Sequence, residues 1–401
     1  MRSASSPFHP VYHSKDFTIM ESGSEPRLGS ILVIGGSGFV GSHISQYLLL
    51  QPSWNSVSVL SRNTPRNILS GVSYHTGDVS KPPELQKSVH EISPTVIIHA
   101  ACPPATSASQ KTYQKIIVHG TKTLLEIALK APSVKAFIYT SSATMAAGCA
   151  HIDLDETTPL ADTDPQSHPY AKCKAIADKM VLSANEYPNQ DGGKGRLLAA
   201  CIRLPIVYGE RDLTSIPGCL GALEKNQTNV ILGDGLNLWD FVSAENAARA
   251  HHLLAEALMK RGTNSSAPRV DGEAFNITDG QRHKFWDFPR LTWKAAGWRP
   301  PARDKPMKLS PTFLLVIAFC LEWIYRLFTC GQKRPTTFSK QQIEYSCFEH
   351  TYQIGKARER LGYNPTADFE AGVRDAVKWS LKNDGWAARL AHCKSITKKK
   401  S

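Results

Sequence analysis

Ser30-Ile31-Leu32-Val33-Ile34-Gly35-Gly36-Ser37-Gly38-Phe39-Val40-Gly41 is the stretch on which the fold of this chain turns. An apolar run of strand length ends in glycines spaced G-x-x-G-x-x-G (Gly35, Gly38, Gly41), and helical spacing follows at once over 39–50. Each glycine has a mechanical reason: a tight turn, close approach of backbone to a pyrophosphate, and close packing of helix on strand. The first N–H groups of the helix have no partner within it and offer a partial positive charge to phosphates. Strand, turn and helix in this order predict a dinucleotide-binding unit with Gly35, Ser37, Gly38, Phe39 and Gly41 around the phosphates.

The alternation continues outward. Runs 30–35, 56–61, 72–76, 96–101, 135–141 and 197–203 are apolar or rich in β-formers, and 39–50, 113–131 and 170–186 have helical spacing. Strands apolar on both faces, alternating with long helices, predict an α/β fold: a doubly wound, Rossmann-type parallel sheet of roughly seven strands. After Pro205 the rhythm loosens. Gly233-Asp234-Gly235 marks a turn, 243–258 a strong helix, 274–277 a short strand, 285–293 a Trp-rich helical stretch and 368–383 a last helix. The expected division is a mobile tail at 1–28, a dinucleotide-binding domain at 29–205 and 236–279, and a basic tail at 381–401. A smaller C-terminal substrate domain takes 206–235 and 280–380, with an apolar segment at 312–328.

The 401 residues are 41 % hydrophobic and 20 % charged, which excludes a disordered polymer, a fibrous repeat and a polytopic membrane protein. The net charge of +12 is uneven. Residues 1–280 hold 24 Lys and Arg against 25 Asp and Glu, whereas residues 281–401 hold 23 against 10. A basic excess beside the most apolar window favours an acidic membrane surface, not nucleic acid, as partner. Nine cysteines without a Cys-x-x-Cys pair, and no secretory apolar region near Met1, fit a reducing cytosolic compartment.

Three places carry chemistry. Leu60-Ser61-Arg62-Asn63 ends the second strand without the carboxylate that commonly binds the adenosine 2′-hydroxyl, and Arg62 is placed to meet a 2′-phosphate, which favours NADP over NAD. Gly77-Asp78-Val79 ends the third strand, with Asp78 placed to accept the adenine amino group and Val79 to pack on the ring. Ser141-Ser142-Ala143-Thr144 closes the strand at 135–141, and Tyr170 and Lys174 stand one helical turn apart on a single face. A phenol titrates near ~10, and a neighbouring ammonium favours its ionised form. Ser142 holding the substrate oxygen, Tyr170 as acid/base and Lys174 beside it suit proton removal from a secondary alcohol as hydride leaves for nicotinamide. His99 reads as a packed strand-end residue and His168 as a solvated loop residue. The stretch 151–164, with five acids, reads as an exposed loop, and no Cys/His arrangement points to a metal.

Over residues 30–379 these features resemble the extended short-chain dehydrogenase/reductases, and among them the 3β-hydroxysteroid dehydrogenase family. The carriers are Gly35 to Gly41, Gly77-Asp78, His99-Ala100-Ala101, Ser141 to Thr144, Tyr170 with Lys174, and Arg203-Leu204-Pro205-Ile206-Val207-Tyr208-Gly209. Further carriers are Gly233-Asp234-Gly235, Asp240-Phe241-Val242 and Leu361-Gly362-Tyr363-Asn364-Pro365. The resemblance implies that Tyr170 is the acid/base, that Lys174 binds the nicotinamide ribose and tunes Tyr170, and that Ser142 orients substrate. It adds Ala100 and Pro205 to the cofactor-binding residues. Ile34, Cys102 and Ser61 depart from the family's usual Thr, Ser and acid.

Phe285-Trp286-Asp287-Phe288 and Trp293-Lys294-Ala295-Ala296-Gly297 resemble the branch of decarboxylating sterol-4α-carboxylate 3-dehydrogenases. That implies oxidation of the 3β-hydroxyl of a 4-carboxysterol, or of a related triterpenoid, to a β-keto acid that loses CO2. A Δ5-isomerising dehydrogenase and a ketone reductase are the alternatives among enzymes, and a nicotinamide-binding sensor is the alternative outside them. Residues 204–209, Trp239 and 285–328 are the candidate pocket walls.

The window 312–328 contains nine consecutive apolar residues, 313–321, before Glu322 and Arg326 interrupt, short of the ~20 that a spanning helix needs. Two readings stand: a core or pocket-lining helix, and a monotopic anchor dipping into one leaflet. The second is favoured because sterols partition into membranes. Lys398-Lys399 resembles a dilysine retrieval signal and equally reads as a solvated lysine tail; with the anchor reading, the expected location is the cytosolic face of the endoplasmic reticulum, with the cytoplasm as alternative. A second copy of the chain, as a homodimer, stays open as a partner.

Overall fold

A computed structural model describes residues 27–63, 68–106, 108–165, 167–185, 197–264, 266–301, 305–329 and 339–392. Most of the expected N-terminal tail, and Lys398-Lys399, lie outside them.

Seven strands form one parallel sheet: β1 (Ser30–Ile34), β2 (Ser56–Ser61), β3 (Val72–Thr76), β4 (Val96–His99), β5 (Ala136–Ser142), β6 (Leu198–Leu204) and β7 (Ala274–Asn276). Their order is β7-β6-β5-β4-β1-β2-β3. Ile31 pairs with Val57 on one side and Val96 on the other, so β1 is central and the order reverses beside it. Alternate side chains serve opposite faces, which is why these runs are apolar throughout. Ile31, Val33, Val57, Val59 and Ile98 pack under α1 (Phe39–Leu49), while Leu32, Ile34, Leu60, Ile97 and Phe137 face the other layer. That second layer is α2 (Pro82–Ile92), α3 (Gly120–Lys130) and α4 (Pro169–Ser183), and α5 (Ala244–Thr263) lies with α1 on the first.

Two elements differ from expectation. The helix expected over 113–131 begins at Gln110 and passes through a π-helical turn (Gln114–His119) before α3. Gly120 at that junction lies against Val79, where a Cβ would come 3.2 Å from the Val79 Cγ2. Helix α2 has no long apolar run to announce it, because its buried stripe is Leu85, Ser88 and Val89.

A second sheet forms after Pro205. Its centre, Leu238–Ser243, pairs in parallel with Ile206–Tyr208 and His350–Tyr352 and antiparallel with Arg282–Lys284. His350–Tyr352 pairs in turn with His151–Leu154. The stretch 151–164 is therefore not simply an exposed loop. His151 is buried, Glu156 Oε1 accepts the Asn276 N–H at 2.8 Å, and Asp162 binds Lys179 at 2.6 Å. Tyr208, Trp239, Phe241, Phe288 and Phe369 fill the core beneath this sheet.

Helix α6 (Pro311–Phe328) packs Leu314 and Ala318 on Ile343 and Cys347 of the helix Lys340–Cys347. Its other side is open: Phe313, Val316, Phe319, Trp323, Leu327 and Phe328 are exposed. Among the described residues no helix is long and apolar enough to cross a membrane.

Candidate active site

The glycine turn occupies the carboxyl end of β1, beside β4, where the strand order reverses. Gly35 has φ +83°, and a Cβ on it would come 2.6 Å from the Ala101 Cα. At Gly41 a Cβ would meet the Gly35 carbonyl oxygen at 2.3 Å, so only glycine lets α1 sit this close to the strand end. Gly38 is the N-cap of α1 and places no side chain on the first N–H groups, and the first turn holds no acid. The Ser37 hydroxyl is buried without a partner among the described residues, and its backbone N–H donates to the Ser61 Oγ at 3.1 Å. Free helix N–H groups, an orphaned buried hydroxyl and a wall stripped of side chains fit a pyrophosphate. Ser61 is thus tied to the turn itself, and Arg62 beside it is exposed.

Asp78 and Val79 follow β3. Burial works against ionisation of Asp78, but the Ser80 hydrogen bonds and the Arg62 and Lys115 charges outweigh it and hold the carboxyl below its ordinary value. Ala100 continues β4 and donates its N–H to the Ile34 carbonyl at 2.9 Å, and Pro205 is buried just beyond β6.

Ser142 and Tyr170 meet at the end of β5, and Lys174 lies one turn further along α4. Ser142 is buried, with Oγ 2.9 Å from the Thr144 Oγ1. Tyr170 and Lys174 lie on the inward face of α4, at 9 % and 3 % exposure, so the phenol does not point into solvent. The Lys174 ammonium donates to the Thr140 carbonyl at 2.7 Å and stands 4.6 Å from the centre of the Tyr139 ring. Burial pushes the Tyr170 phenol well above the ordinary tyrosine range, helped by Cys102 and Tyr345, while hydrogen bonding with Ser142 opposes the rise. The sequence pattern points to a phenol tuned downward, and in this frame desolvation dominates.

Two buried contacts brace the frame of the site, one to α4 and one to β5. Arg203 on β6 holds Asp178 on α4 through two bonds, Nη2 to Oδ1 at 2.7 Å and Nε to Oδ2 at 3.2 Å. Thr140 bonds the His251 Nε2 at 2.9 Å, tying β5 to α5. His99 is fully buried against Thr121, and burial with the Lys174 charge lowers its pKa to about 3. His168 is not a solvated loop residue: it caps α4, its Nδ1 accepting the Tyr170 N–H at 3.2 Å. Sequence reading passes over Tyr113, whose ring meets Tyr170 edge-on at 5.7 Å, and Tyr345, which arrives from far along the chain. Tyr113 closes a helical turn and could have been flagged by spacing; Tyr345 had no local signal.

A dinucleotide turn at the reversal of a doubly wound sheet, with Ser, Tyr and Lys at the neighbouring strand end, defines an extended short-chain dehydrogenase/reductase. The model of the 3-beta hydroxysteroid dehydrogenase/isomerase family matches residues 32–308, and the chain belongs to that family. It is 32 % identical over 356 residues to the decarboxylating sterol-4-alpha-carboxylate 3-dehydrogenase of Schizosaccharomyces pombe, covering 88 % of this chain and 97 % of that one. The decarboxylating sterol-4-alpha-carboxylate 3-dehydrogenase of Mus musculus is 26 % identical over 348 residues, 86 % of this chain and 89 % of that one. Among solved structures, the UDP-glucuronic acid 4-epimerase of Bacillus cereus in complex with NAD shares the fold, with TM-score 0.61 and 19 % identity over 87 % of this chain and 98 % of that one.

Proposed function

We propose that this protein oxidises the 3β-hydroxyl of a 4-carboxysterol, or of a related triterpenoid acid, with a nicotinamide dinucleotide, and that the 3-keto acid formed loses CO2. The observation that carries the reading is Tyr170 and Lys174, inward on one face of α4, with Ser142 at the end of β5 and the glycine turn nearby. The relatives named above act, by their names, on this substrate class. When bound, the nicotinamide supplies the hydride acceptor. Ser142 holds the substrate oxygen, and Tyr170 takes its proton. Since burial keeps that phenol protonated at neutral pH, it works as a base only when positive charge faces it, and Lys174 is the cation on its own helix face. Incubating the protein with a 4-carboxysterol and with a plain 3β-hydroxysteroid, while following reduced nicotinamide and CO2, tests the reading. Turnover of the acid with CO2 release is expected; a conjugated-enone product and no CO2 would refute it.

NADP is the proposed cofactor, because the end of β2 lacks a carboxylate and presents an exposed Arg62. A strong preference for NAD at equal concentrations refutes this part alone. The protein is further proposed to sit on the cytosolic face of the endoplasmic reticulum through α6. The support is a contiguous apolar face, with Phe319 63 %, Leu327 71 % and Phe328 85 % exposed, beside exposed Lys305 and Lys308. Cosedimentation with vesicles containing anionic lipid tests it, and recovery wholly in the supernatant counts against it.

A further inference from the structure

The hydroxyl groups at the end of β5 do not stop at the residue that orients substrate. The Thr144 Oγ1, 2.9 Å from the Ser142 Oγ, is in hydrogen-bonding contact with the Tyr345 hydroxyl. That hydroxyl in turn accepts from the Gln341 Nε2 at 3.1 Å. Tyr345 also lies within electrostatic reach of Tyr170, so this line of polar groups borders the reacting phenol. Gln341 is 3 % exposed, and its second amide atom, Oε1, has no partner among the described residues. The two ends of an amide exchange by rotation about the terminal bond, so a flipped Gln341 can aim its N–H2 where the unpaired atom now lies. Buried polar atoms without a partner are rare and call for a ligand or a water. None of these groups carries a charge; the Glu344 carboxylate, next to Tyr345 in the chain and acting on its hydroxyl, is paired with the Lys340 ammonium at 3.5 Å.

From this arrangement we infer that Thr144, Tyr345 and Gln341 form a subsite for the carboxylate on the ring carbon next to the reacting hydroxyl. The inference rests on the reading proposed above and names how the acid is recognised. In a β-hydroxy acid the hydroxyl oxygen and a carboxylate oxygen lie within hydrogen-bond distance of each other, and the Ser142 and Thr144 hydroxyls have the same spacing. Ser142 and Tyr170 take the alcohol; the next hydroxyls along take the acid.

Uncharged donors also suit the second step. Once carbon 3 is a ketone, the bond from carbon 4 to the carboxylate breaks, and its electron pair passes into the enolate of carbons 3 and 4. CO2 leaves, and the enolate is neutralised by the proton that Tyr170 took from the alcohol. A lysine or arginine in the subsite would hold the carboxylate charge against that flow. Hydrogen bonds from hydroxyl and amide groups bind it more weakly and release it.

The experiment compares kcat/KM for a 4-carboxysterol with that for the same sterol lacking the carboxylate, in wild type and in Tyr345→Phe. Loss of the hydroxyl is expected to lower the ratio of acid to plain alcohol by about 10- to 100-fold. The inhibition constant of a 4-carboxy analogue without the 3-oxygen should rise by a similar factor. A ratio and an inhibition constant within about twofold of wild type overturn the subsite while wild-type turnover of the acid leaves the proposed function standing. No oxidation of the acid by wild type overturns both. Gln341→Glu gives an independent arm should Tyr345→Phe not fold: like charge should turn the variant from the free acid toward its methyl ester, and an unchanged preference overturns the assignment.

Discussion

The sheet half of the molecule and the half after Pro205 are assembled differently. From β1 to β5 the chain builds outward by consecutive crossovers, first through β2 to β3 and then back across to β4 and β5. In the second sheet the central strand Leu238–Ser243 draws its partners from 206–208, 282–284 and 350–352, and 151–154 joins beyond them. The first half is governed by local period and turn chemistry, which a sequence displays. The second is governed by contacts between distant segments, which it does not. The proposed active site lies on the seam, because Ser142 and Tyr170 belong to the first half and Tyr345, which borders Tyr170, to the second.

The largest effect should come from the residue that serves the chemistry of the first half. Tyr170→Phe keeps the ring packed against Tyr113 and removes the proton acceptor, so kcat should fall by about 10²- to 10⁴-fold. Dinucleotide affinity, followed by fluorescence titration, should hold, because the glycine turn is untouched. Unchanged alcohol oxidation would remove the proposed engine.

The next effect concerns the brace between α4 and β6. Asp178 is fully buried and Arg203 nearly so, and their bonds hold the helix that carries Tyr170 and Lys174. Asp178→Ala leaves a buried guanidinium without its counter-charge, at a cost of about 3–5 kcal/mol read by denaturant unfolding. A loss below about 1 kcal/mol, typical of exposed pairs, would mean that α4 is held chiefly by its apolar contacts.

How much of this was legible from the chain follows the same division. Ser30 to Gly41 declare strand, turn and helix because each glycine answers a local steric demand, and β2 and β3 match their expected bounds for the same reason. Tyr170 and Lys174 were legible as a pair because helical spacing sets them on one face, and Ser142 because it ends an apolar strand. His168 was not legible as a cap: its role depends on its ring reaching back to the Tyr170 N–H. Nor were His151 and His350, whose rings meet at 4.6 Å although they lie in segments far apart in the chain. The open face of α6 was half legible. An apolar run is the same in sequence whether its neighbours cover it or not, and it is Leu314 and Ala318, with Leu315 partly covered beside them, that mark the covered side.

Acidification probes both halves at once, with a smaller effect per group. Burial lowers the pKa of His99 to about 3 and of His251 to about 4 in the sheet half, and of His350 to about 3 and His151 to about 4 in the second sheet. The unfolded chain takes up protons at these rings from about pH 6.5 downward, while the folded one does not. Their contribution to stability is therefore complete above that value and is lost progressively as pH falls toward the folded values. At pH 5.5 each ring costs about 1.4 kcal/mol. Asp240, pushed up to about 6 mainly by burial, acts in the opposite sense, because protonation favours the fold, and offsets under about 1 kcal/mol over that range. Unfolding free energy should fall between pH 7 and 5.5, and His151→Gln should recover about one ring's share. Recovery in only one of two separate transitions would show that the halves unfold independently, which would sharpen the contrast between them.

The smallest expected change in stability lies on α6, where the contrast is narrowest in space. Leu314 and Phe319 share one helix, yet Leu314 is buried and Phe319 is 63 % exposed. Replacing Phe319 and Leu327 by Ser touches no core contact and should alter unfolding free energy by no more than about 0.5 kcal/mol. The same change removes two large apolar groups from the face proposed to meet lipid, so vesicle cosedimentation should drop sharply while turnover of a detergent-dispersed substrate persists. The reverse result, stability lost and vesicle binding kept, would mean that this face is covered by protein in the working molecule. Since α6 packs on the helix Lys340–Cys347, which holds Tyr345 near Tyr170, a lipid-facing α6 would set the substrate-facing part of the site close to the membrane surface from which a sterol must come.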